Sequence, residues 1–574
     1  MESSRSKFAC LWLSLLFLAV TKAQRIAVIG GGISGAFAAK YLADYNADAC
    51  KLEGITIFDP VAVAETVTLD QNPDDDWQGS RISSLRLNDG SILELGASVL
   101  FKGFHLVVDM MRGDTDLKVG PPFDRGDDVE DPDLRKGMGV YNGDGEWSLL
   151  TTSAPGFLNK LSVLYRYNFD LLKLSRVSKQ AQEAFASIPA LLASAHPDTF
   201  FESPDAIWQA IGLLKGVHSS FDQLLDVIGL QSELSWWRKF LPFQGSLRKE
   251  LLTAINLVNY NQDNAGVNGI VGLGSFAASS GGLFSITGGN QQIIKSAVKQ
   301  ATAKSNQQCQ TPLVEEVSKR VTTVVGGLDG LALYDGTNEL GIFDIVVLAA
   351  PLQHARIEFL VQSNFDSAIL HPMPLGGLVN TEEQAIDHEG HRVMAQPVVE
   401  SATRPYTQVV TTVVRNATIN AEYFELPESS LPRSIVMTNA GKAALHGITA
   451  ITQISSAGVY KIFSSDKLDA SVLVQLFGPG NMVEFVKLWG GPHGGATPDY
   501  QGQGTATNFL LYDAAVGLKG HTFSGALYYT SAMEQSSLSC MELCAVGAKA
   551  VAKLVAQRVG LINSREEEVL RDEL

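Results

Sequence analysis

The sequence predicts an α/β protein: a parallel sheet opened by a strand–helix–strand unit, with a mixed α+β region threaded between its later parts. Three observations predict this. Residues 25–59 carry an apolar strand, a glycine turn, a helix and a second apolar strand in immediate succession. Short apolar runs bounded by turns return over residues 313–351 and again near 527, far from the first pair. No low-complexity linker and no internal repeat separates these stretches, so the units are interleaved and not strung in series.

The opening unit is the most informative. Arg25-Ile26-Ala27-Val28-Ile29 reads as a buried strand and runs straight into Gly30-Gly31-Gly32-Ile33-Ser34-Gly35. Ala36–Ala43 reads as a helix, Ile55–Phe58 as a second strand, and Asp59 ends it. Each part has a task at a dinucleotide. Gly30 permits a tight turn, Gly32 lets backbone approach a pyrophosphate, and Gly35 lets helix and strand pack closely. The helix start, with Gly31 and Ser34 in its turn, offers free N–H groups and the positive end of a dipole to phosphates. Asp59 ends the second strand, near the distance past Gly35 at which an acid accepts from a ribose hydroxyl. The unit predicts a Rossmann-like dinucleotide site.

Composition bounds the remaining possibilities. The chain has 574 residues, 45% hydrophobic and 18% charged, which is a globular composition able to bury a large core. Its net charge of −17 repels phosphate backbones, so nucleic acid is excluded as a partner. Residues 1–23 read as a secretory signal peptide: Arg5 and Lys7, an apolar run from Phe8 to Val20, then small residues at Thr21 and Ala23. A signal anchor is the alternative reading. No other apolar stretch approaches the roughly 20 residues of a membrane span, which leaves at most peripheral membrane contact. The acidic segment 561–574 ends in Arg571-Asp572-Glu573-Leu574, close to the KDEL retrieval signal. An endoplasmic-reticulum lumen address and a retrieval receptor are therefore expected, with lysosome, vacuole or secretion as alternatives. Asn416-Ala417-Thr418 is a glycosylation sequon. Beyond Cys10, only Cys50, Cys309, Cys540 and Cys544 remain, too few for a disulfide scaffold. Cys540 and Cys544 stand at i,i+4 without neighbouring His or Cys partners, so they read as small buried residues and no metal is expected.

Gly79-Ser80-Arg81, Ser84-Leu85-Arg86 and Glu94-Leu95-Gly96-Ala97-Ser98 follow. They resemble the glycine–arginine motif of the amine-oxidase-like FAD superfamily. That resemblance implies FAD as the cofactor, Ser80 and Arg81 at its diphosphate, and Gly96, Ala97 and Ser98 beside it. Residues 24–110 then form a first FAD-binding segment. Residues 111–280 read as a mainly helical substrate segment, where Leu158, Leu161, Tyr165, Phe169 and Leu172 make an amphipathic stripe read as core. Residues 281–360 read as a second FAD-binding segment: a glycine turn Gly281–Asn290, a helix from Gln291, and strands at Leu313–Ser318, Val321–Val325, Leu331–Tyr334 and Phe343–Leu348. The first of those strands carries Val317 toward the nucleotide. Residues 361–495 are a second substrate segment, mixed strand and helix. Residues 496–560 are a third FAD-binding segment, a strand from Leu527 leading into a small-residue helix.

Beyond the cofactor motif, the residues resemble the prenylcysteine oxidase family, also called prenylcysteine or farnesylcysteine lyases, over about residues 25–558. Tyr165-Arg166-Tyr167 is similar to a tryptophan-arginine-tyrosine stretch of that family, and Val258-Asn259-Tyr260-Asn261-Gln262 to its V-N-Y-x-Q. Ser280-Gly281-Gly282-Leu283 through Asn290, Phe343 to Leu352, and Val459-Tyr460-Lys461-Ile462-Phe463-Ser464 resemble three further motifs. Ser539-Cys540-Met541-Glu542 with Cys544-Ala545 is similar to its S-x-M-E-x-S-A, which implies that Met541 and Glu542 meet the flavin. The chain departs from the family where Phe101 and Phe104 stand for a His and an Asn, with His105 displaced, and where Phe284 and Tyr460 replace tryptophans.

The resemblance implies oxidation of the thioether of a farnesyl- or geranylgeranyl-cysteine. A hydride leaves the allylic, sulfur-bearing carbon for the flavin, water adds, and the hemithioacetal collapses to cysteine and a prenyl aldehyde, with O2 reduced to H2O2. Arg166 is then a candidate for the substrate carboxylate, with a solvent-exposed helix arginine as the plain alternative. His105 is a candidate proton acceptor, with a structural histidine as the alternative. Two other classes share part of the pattern: another FAD amine-type oxidase, and a catalytically silent prenyl-lipid-binding flavoprotein.

Overall fold

A computed structural model describes residues 24–61, 67–68, 81–88, 90–120, 133–151, 156–230, 245–279, 281–309, 313–362, 370–373, 375, 406–489, 497–498, 507–514, 524–537 and 539–562. Ser80, the leader at 1–23 and the terminal tetrapeptide lie outside them.

The central sheet has six strands: β1 (Gln24–Ile29), β2 (Leu52–Phe58), β3 (Val314–Val317), β4 (Ile345–Leu348), β5 (Leu510–Asp513) and β6 (Ala526–Tyr529). Their spatial order is β3-β2-β1-β4-β6-β5. All pairings are parallel except β5 against β6. The inner strands β1, β2 and β4 carry apolar runs because helices cover both faces: Ile26, Val28, Ile55, Ile57, Val346 and Leu348 are fully buried. The order reverses at β1, and parallel sheets bind ligands where it does.

Five helices bear on the site: α1 (Ile33–Asn46), α2 (His105–Arg112), α3 (Gly156–Phe185), α4 (Gln292–Gln308) and α5 (Met541–Arg558). α1 is sandwiched between α4 and α5. Its Ala36, Ala38, Ala39 and Ala43 and the Ala545, Ala548 and Ala552 of α5 are buried, small enough for the axes to approach closely. A disulfide joins Cys50, just past α1, to Cys309, just past α4, with Cα atoms 5.5 Å apart.

A second, seven-stranded sheet is built from Met482–Trp489, Val409–Arg415, Val459–Ser464, Ile448–Ser455, Ser434–Met437, Met138–Gly143 and Glu146–Leu150, in that spatial order. The Met138–Leu150 hairpin interrupts a stretch expected to be mainly helical. Its Asn142-Gly143-Asp144-Gly145 turn, with Asp144 and both glycines at positive φ, is the local reason for the difference. The hairpin Ser83–Arg86/Ile92–Gly96 lays Leu85, Leu93 and Leu95 on Val413, Phe485 and Trp489 of this sheet. That contact brings the second sheet over the first.

On α3 the predicted core stripe is not followed at the two positions whose side chains are described; Leu158, Leu161 and Phe169 lie outside the described side chains. Tyr165 and Leu172 are each 55% exposed, whereas Tyr167, Leu174 and Ser178 are buried. The helix buries the face two positions further on, because Tyr167 finds a polar partner inside: its hydroxyl donates to Glu250 Oε2 at 3.0 Å. Among the described residues no helix is long and apolar enough to cross a membrane.

Candidate functional site

The parallel strands finish on one edge, with Ile29, Phe58, Val317 and Leu348 in register. The residues that follow β1, β2 and β4 — Gly30, Asp59 and Ala349 — line a single cleft of about 420 Å³. The opposite wall comes from the second sheet and a helix: Val258, Asn259, Tyr260, Val409, Phe463, Lys487, Leu488 and Trp489.

The glycine turn is as the sequence reads it. Gly30 holds φ +109°, and a Cβ there would meet the Ala349 carbonyl at 3.1 Å. A Cβ on Gly35 would fall 1.9 Å from Gly30 O. Gly32 caps α1 and, with Ser34, lines the cleft. The Gly31 N–H donates to Asp59 Oδ2 at 2.6 Å, and Val61 N–H to Oδ1 at 3.1 Å. Burial raises the Asp59 carboxyl and these two bonds lower it; oxygen lone pairs remain for a ligand hydroxyl.

Arg81 also lines the cleft. It donates to Ser539 Oγ at 2.9 Å and grips Glu534 with both terminal nitrogens, at 2.8 and 2.9 Å. Glu534 is fully buried and also accepts from the Tyr406 hydroxyl at 3.1 Å. Burial opposes the arginine charge, but the Glu534 carboxylate outweighs it and keeps Arg81 cationic.

Gly96 and Ala97 line the cleft; Ser98, the next residue, does not. A Cβ on Gly96 would strike the Trp489 ring at 2.8 Å, and Ala97 adopts φ +51°. Asn290 Nδ2 donates to Ala97 O at 2.8 Å. Lys461 Nζ donates to Ser98 Oγ and to Glu94 O, each at 2.9 Å. The Glu94 carboxylate accepts from Asn290 N and Ser84 Oγ, while burial pushes its pKa up to about 7. Lys461, in the V-x-K-I-F-S stretch, thus fixes the turn between the β-hairpin and the cleft.

Met541 lines the cleft at the start of α5, with Ser539, Cys540 and Cys544 beside it. The cysteines, expected to be merely small and buried, form part of the wall. Burial keeps both thiols neutral, pushing Cys540 up to about 12. Among the described residues no three His, Cys, Asp or Glu side chains gather as a metal site.

Of the expected residues, Gly31, Gly35, Ser98, Glu542, His105, Arg166 and Val317 do not line the cleft, and the last four have other roles. Glu542 faces α2, where its carboxylate accepts from the His105, Leu106 and Val107 amides at 2.8–3.0 Å; it is a helix cap. His105 is the first residue of that capped helix. Arg166 is engaged by Glu250, Nε to Oε2 2.8 Å, and is not an open carboxylate clamp. Val317 ends β3, and its carbonyl accepts from Asp59 N at 3.2 Å, bracing Asp59 from the neighbouring strand.

Other wall residues escaped sequence reasoning. His354 follows β4 and packs edge-on to Tyr406; burial and then Arg81 pull its pKa down to about 4, so the ring is neutral. Lys487 lies 4.1 Å from the Trp489 ring centroid, and burial lowers it to about 7. Neither stands in a motif; only strand pairing reveals them. Asn416 and Thr418 of the sequon are both exposed.

Comparison with known proteins gives relatives that span the chain. Prenylcysteine oxidase 1 of Mus musculus is 23% identical over 569 residues, covering 96% of this chain and 92% of its own. Farnesylcysteine lyase of Arabidopsis thaliana is 22% identical, covering 93% and 88%. Prenylcysteine oxidase 1 of Bos taurus is 24% identical, covering 90% and 86%. Solved structures with a similar course include a putrescine oxidase double mutant (TM-score 0.48, 12% identity, 93% of this chain and 98% of that one). A cyclohexylamine oxidase from Brevibacterium oxydans gives a TM-score of 0.47 at 14% identity, over 94% of this chain and all of its own. The profile of the prenylcysteine lyase family matches residues 150–381 and 384–569, well over half of the sequence, and the chain belongs to that family.

Proposed function

We propose that this chain is an FAD-dependent oxidase that cleaves the thioether of a prenylated cysteine in the lumen of the secretory pathway. One observation carries the reading. Stretches that resemble the family at widely separated places — Val258–Tyr260, Ala349–Pro351, Phe463 and Ser539–Met541 — converge on the cleft that holds the glycine turn, Asp59 and Arg81.

The residues fit FAD. The Gly30–Gly32 turn and the start of α1 leave room and N–H groups for a diphosphate, and Asp59 suits a ribose hydroxyl. Arg81 adds a fixed cation, and the first turn of α5 favours negative charge on the flavin side. When bound, the flavin supplies the two-electron acceptor for the hydride on the sulfur-bearing carbon and passes the electrons to O2. The chain's part is to bind, orient and exclude water. Val258, Val409, Phe463, Leu488 and Trp489 give an apolar wall, against which a prenyl tail gains about 0.8 kcal/mol per buried CH2. The balanced reaction takes thioether, water and O2 to cysteine, prenyl aldehyde and H2O2.

Residence in the endoplasmic reticulum is supported by the leader-like residues 1–23 and the terminal Arg571–Leu574. The Cys50–Cys309 disulfide suits an oxidising compartment. Asn416 is proposed as glycosylated there.

The test is anaerobic reduction of the holoprotein's flavin. Farnesylcysteine, with a doubly activated C–H, should bleach it rapidly, and a saturated S-alkylcysteine of equal length should bind without bleaching. Admitting air should then yield one H2O2 per aldehyde. Flavin that stays oxidised with prenylcysteines but is reduced by benzylamine or a polyamine would replace this reading with an amine oxidase.

A further inference from the structure

The strand order fixes where a dinucleotide runs. The glycine turn ends β1 and takes the diphosphate; Asp59 ends β2 and takes the ribose. Continuing in the same direction, the next strand is β3, in parallel register with β2 through Val317↔Phe58. The base of the nucleotide must lie over the end of β3, because each moiety is displaced by roughly the 4.8 Å spacing of one strand.

At that place the chain turns after Val317, with Lys319 N donating to Val317 O at 2.8 Å, and presents Arg320 and Val321 to the cleft. Val321 is 3% exposed and forms an apolar floor. Arg320 is half-buried on the wall, and its side chain makes no ion pair, hydrogen bond or ring contact among the described residues. It is not a partner of Asp59, whose carboxylate is shaped only by burial and by the Gly31 and Val61 amides. The other cleft-lining cations are otherwise placed: Arg81 is bound to Glu534, Lys487 lies on the far sheet, and Arg356 follows β4, on the opposite side of β1 from β2 and β3. A half-buried guanidinium over an apolar floor, at the end of the strand next to a ribose-binding aspartate, matches one ligand surface: the face of a purine. Guanidinium groups are planar, weakly hydrated and stack on aromatic rings, which an ammonium does not.

We propose that Arg320 is the lid of the adenine subsite, stacking its guanidinium on the base of the bound dinucleotide. The proposal rests on the FAD reading above.

The experiment measures binding to apoprotein, stripped of flavin, of wild type, Arg320→Ala and Arg320→Lys. The ligands are FAD, ADP-ribose and AMP, which carry adenine, and riboflavin and FMN, which do not. Arg320→Ala should weaken all three adenine ligands by about tenfold, the order of one stacking contact, and leave riboflavin and FMN unchanged. Arg320→Lys should behave like alanine, since it keeps charge and loses the plane. Circular dichroism of the apoproteins should coincide, because no ion pair or hydrogen bond of the protein is removed. Unchanged AMP affinity in Arg320→Ala overturns the assignment. Full restoration by lysine also overturns it, in favour of a phosphate contact. If wild type takes up no FAD, the cofactor reading itself fails; if wild type and Arg320→Ala take it up equally, only the role of Arg320 fails.

Discussion

A methyl group at Gly35 would stand 1.9 Å from the Gly30 carbonyl oxygen, a backbone atom that cannot move without breaking the junction of β1 and α1. Gly32, by contrast, has φ −73°, which any residue tolerates, and faces the cleft. The two glycines therefore fail differently. Gly35→Ala should destabilise the fold by about 3 kcal/mol, seen as a lowered thermal midpoint, and lose flavin with it. Gly32→Val should keep a native circular dichroism spectrum yet purify with little flavin. Equal flavin content in Gly32→Val and wild type would sink the assignment of the loop. The shape of this stretch was legible because it is local: turn, helix start and aspartate sit close together, Gly30 to Asp59, and each has a distinct backbone demand. Glu542 and Arg166 were not, because their partners are remote in sequence. Glu542 finds the amides of His105, Leu106 and Val107, near the opposite end of the chain, and Arg166 on α3 finds Glu250, well beyond that helix. Nothing in a motif says that a carboxylate beside a cleft-lining methionine turns toward another helix.

Among the elements, strands β1, β2, β4 and β6 of the central sheet were recognisable as apolar runs, since burial on both faces leaves no polar alternation to confuse with a helix; the short edge strand β5 was not picked out. α3 was recognised as a helix but its buried face was misplaced, because Tyr165 and Leu172 are apolar yet exposed while Tyr167 is buried by virtue of its hydroxyl. The Cys50–Cys309 bridge could not be read from four scattered cysteines; it depends on α1 and α4 lying side by side so that their C-terminal ends meet. Because it closes a sequence separation of 259, it constrains the unfolded chain strongly, and double replacement by serine should cost about 3 kcal/mol. Thermal melts of the oxidised and reduced holoprotein check this. Coincident melts would show that the helices alone hold the junction.

For the whole molecule, the proposed address rests on residues outside the described structure. Deleting Arg571–Leu574 should move the protein from the endoplasmic reticulum to the medium or to a lysosome or vacuole, checked by microscopy and by blotting the medium. Unchanged retention would show that the tetrapeptide is not read. The central sheet has a further consequence, for the order in which the ribosome delivers it. β1 and β2 emerge first, but their neighbours β3 and β4 begin only at Val314 and Ile345, and β6 and α5 only at Ala526 and Met541. A nascent chain holding the complete glycine turn, α1 and Asp59 still lacks the strands on both sides of β1–β2 and the helix that covers α1. Two parallel strands with one helix cannot bury enough surface to persist alone. The nucleotide-binding half thus has to wait, unfolded and accessible to chaperones, for most of translation. A premature stop anywhere before α5 removes the first-made site as surely as the last.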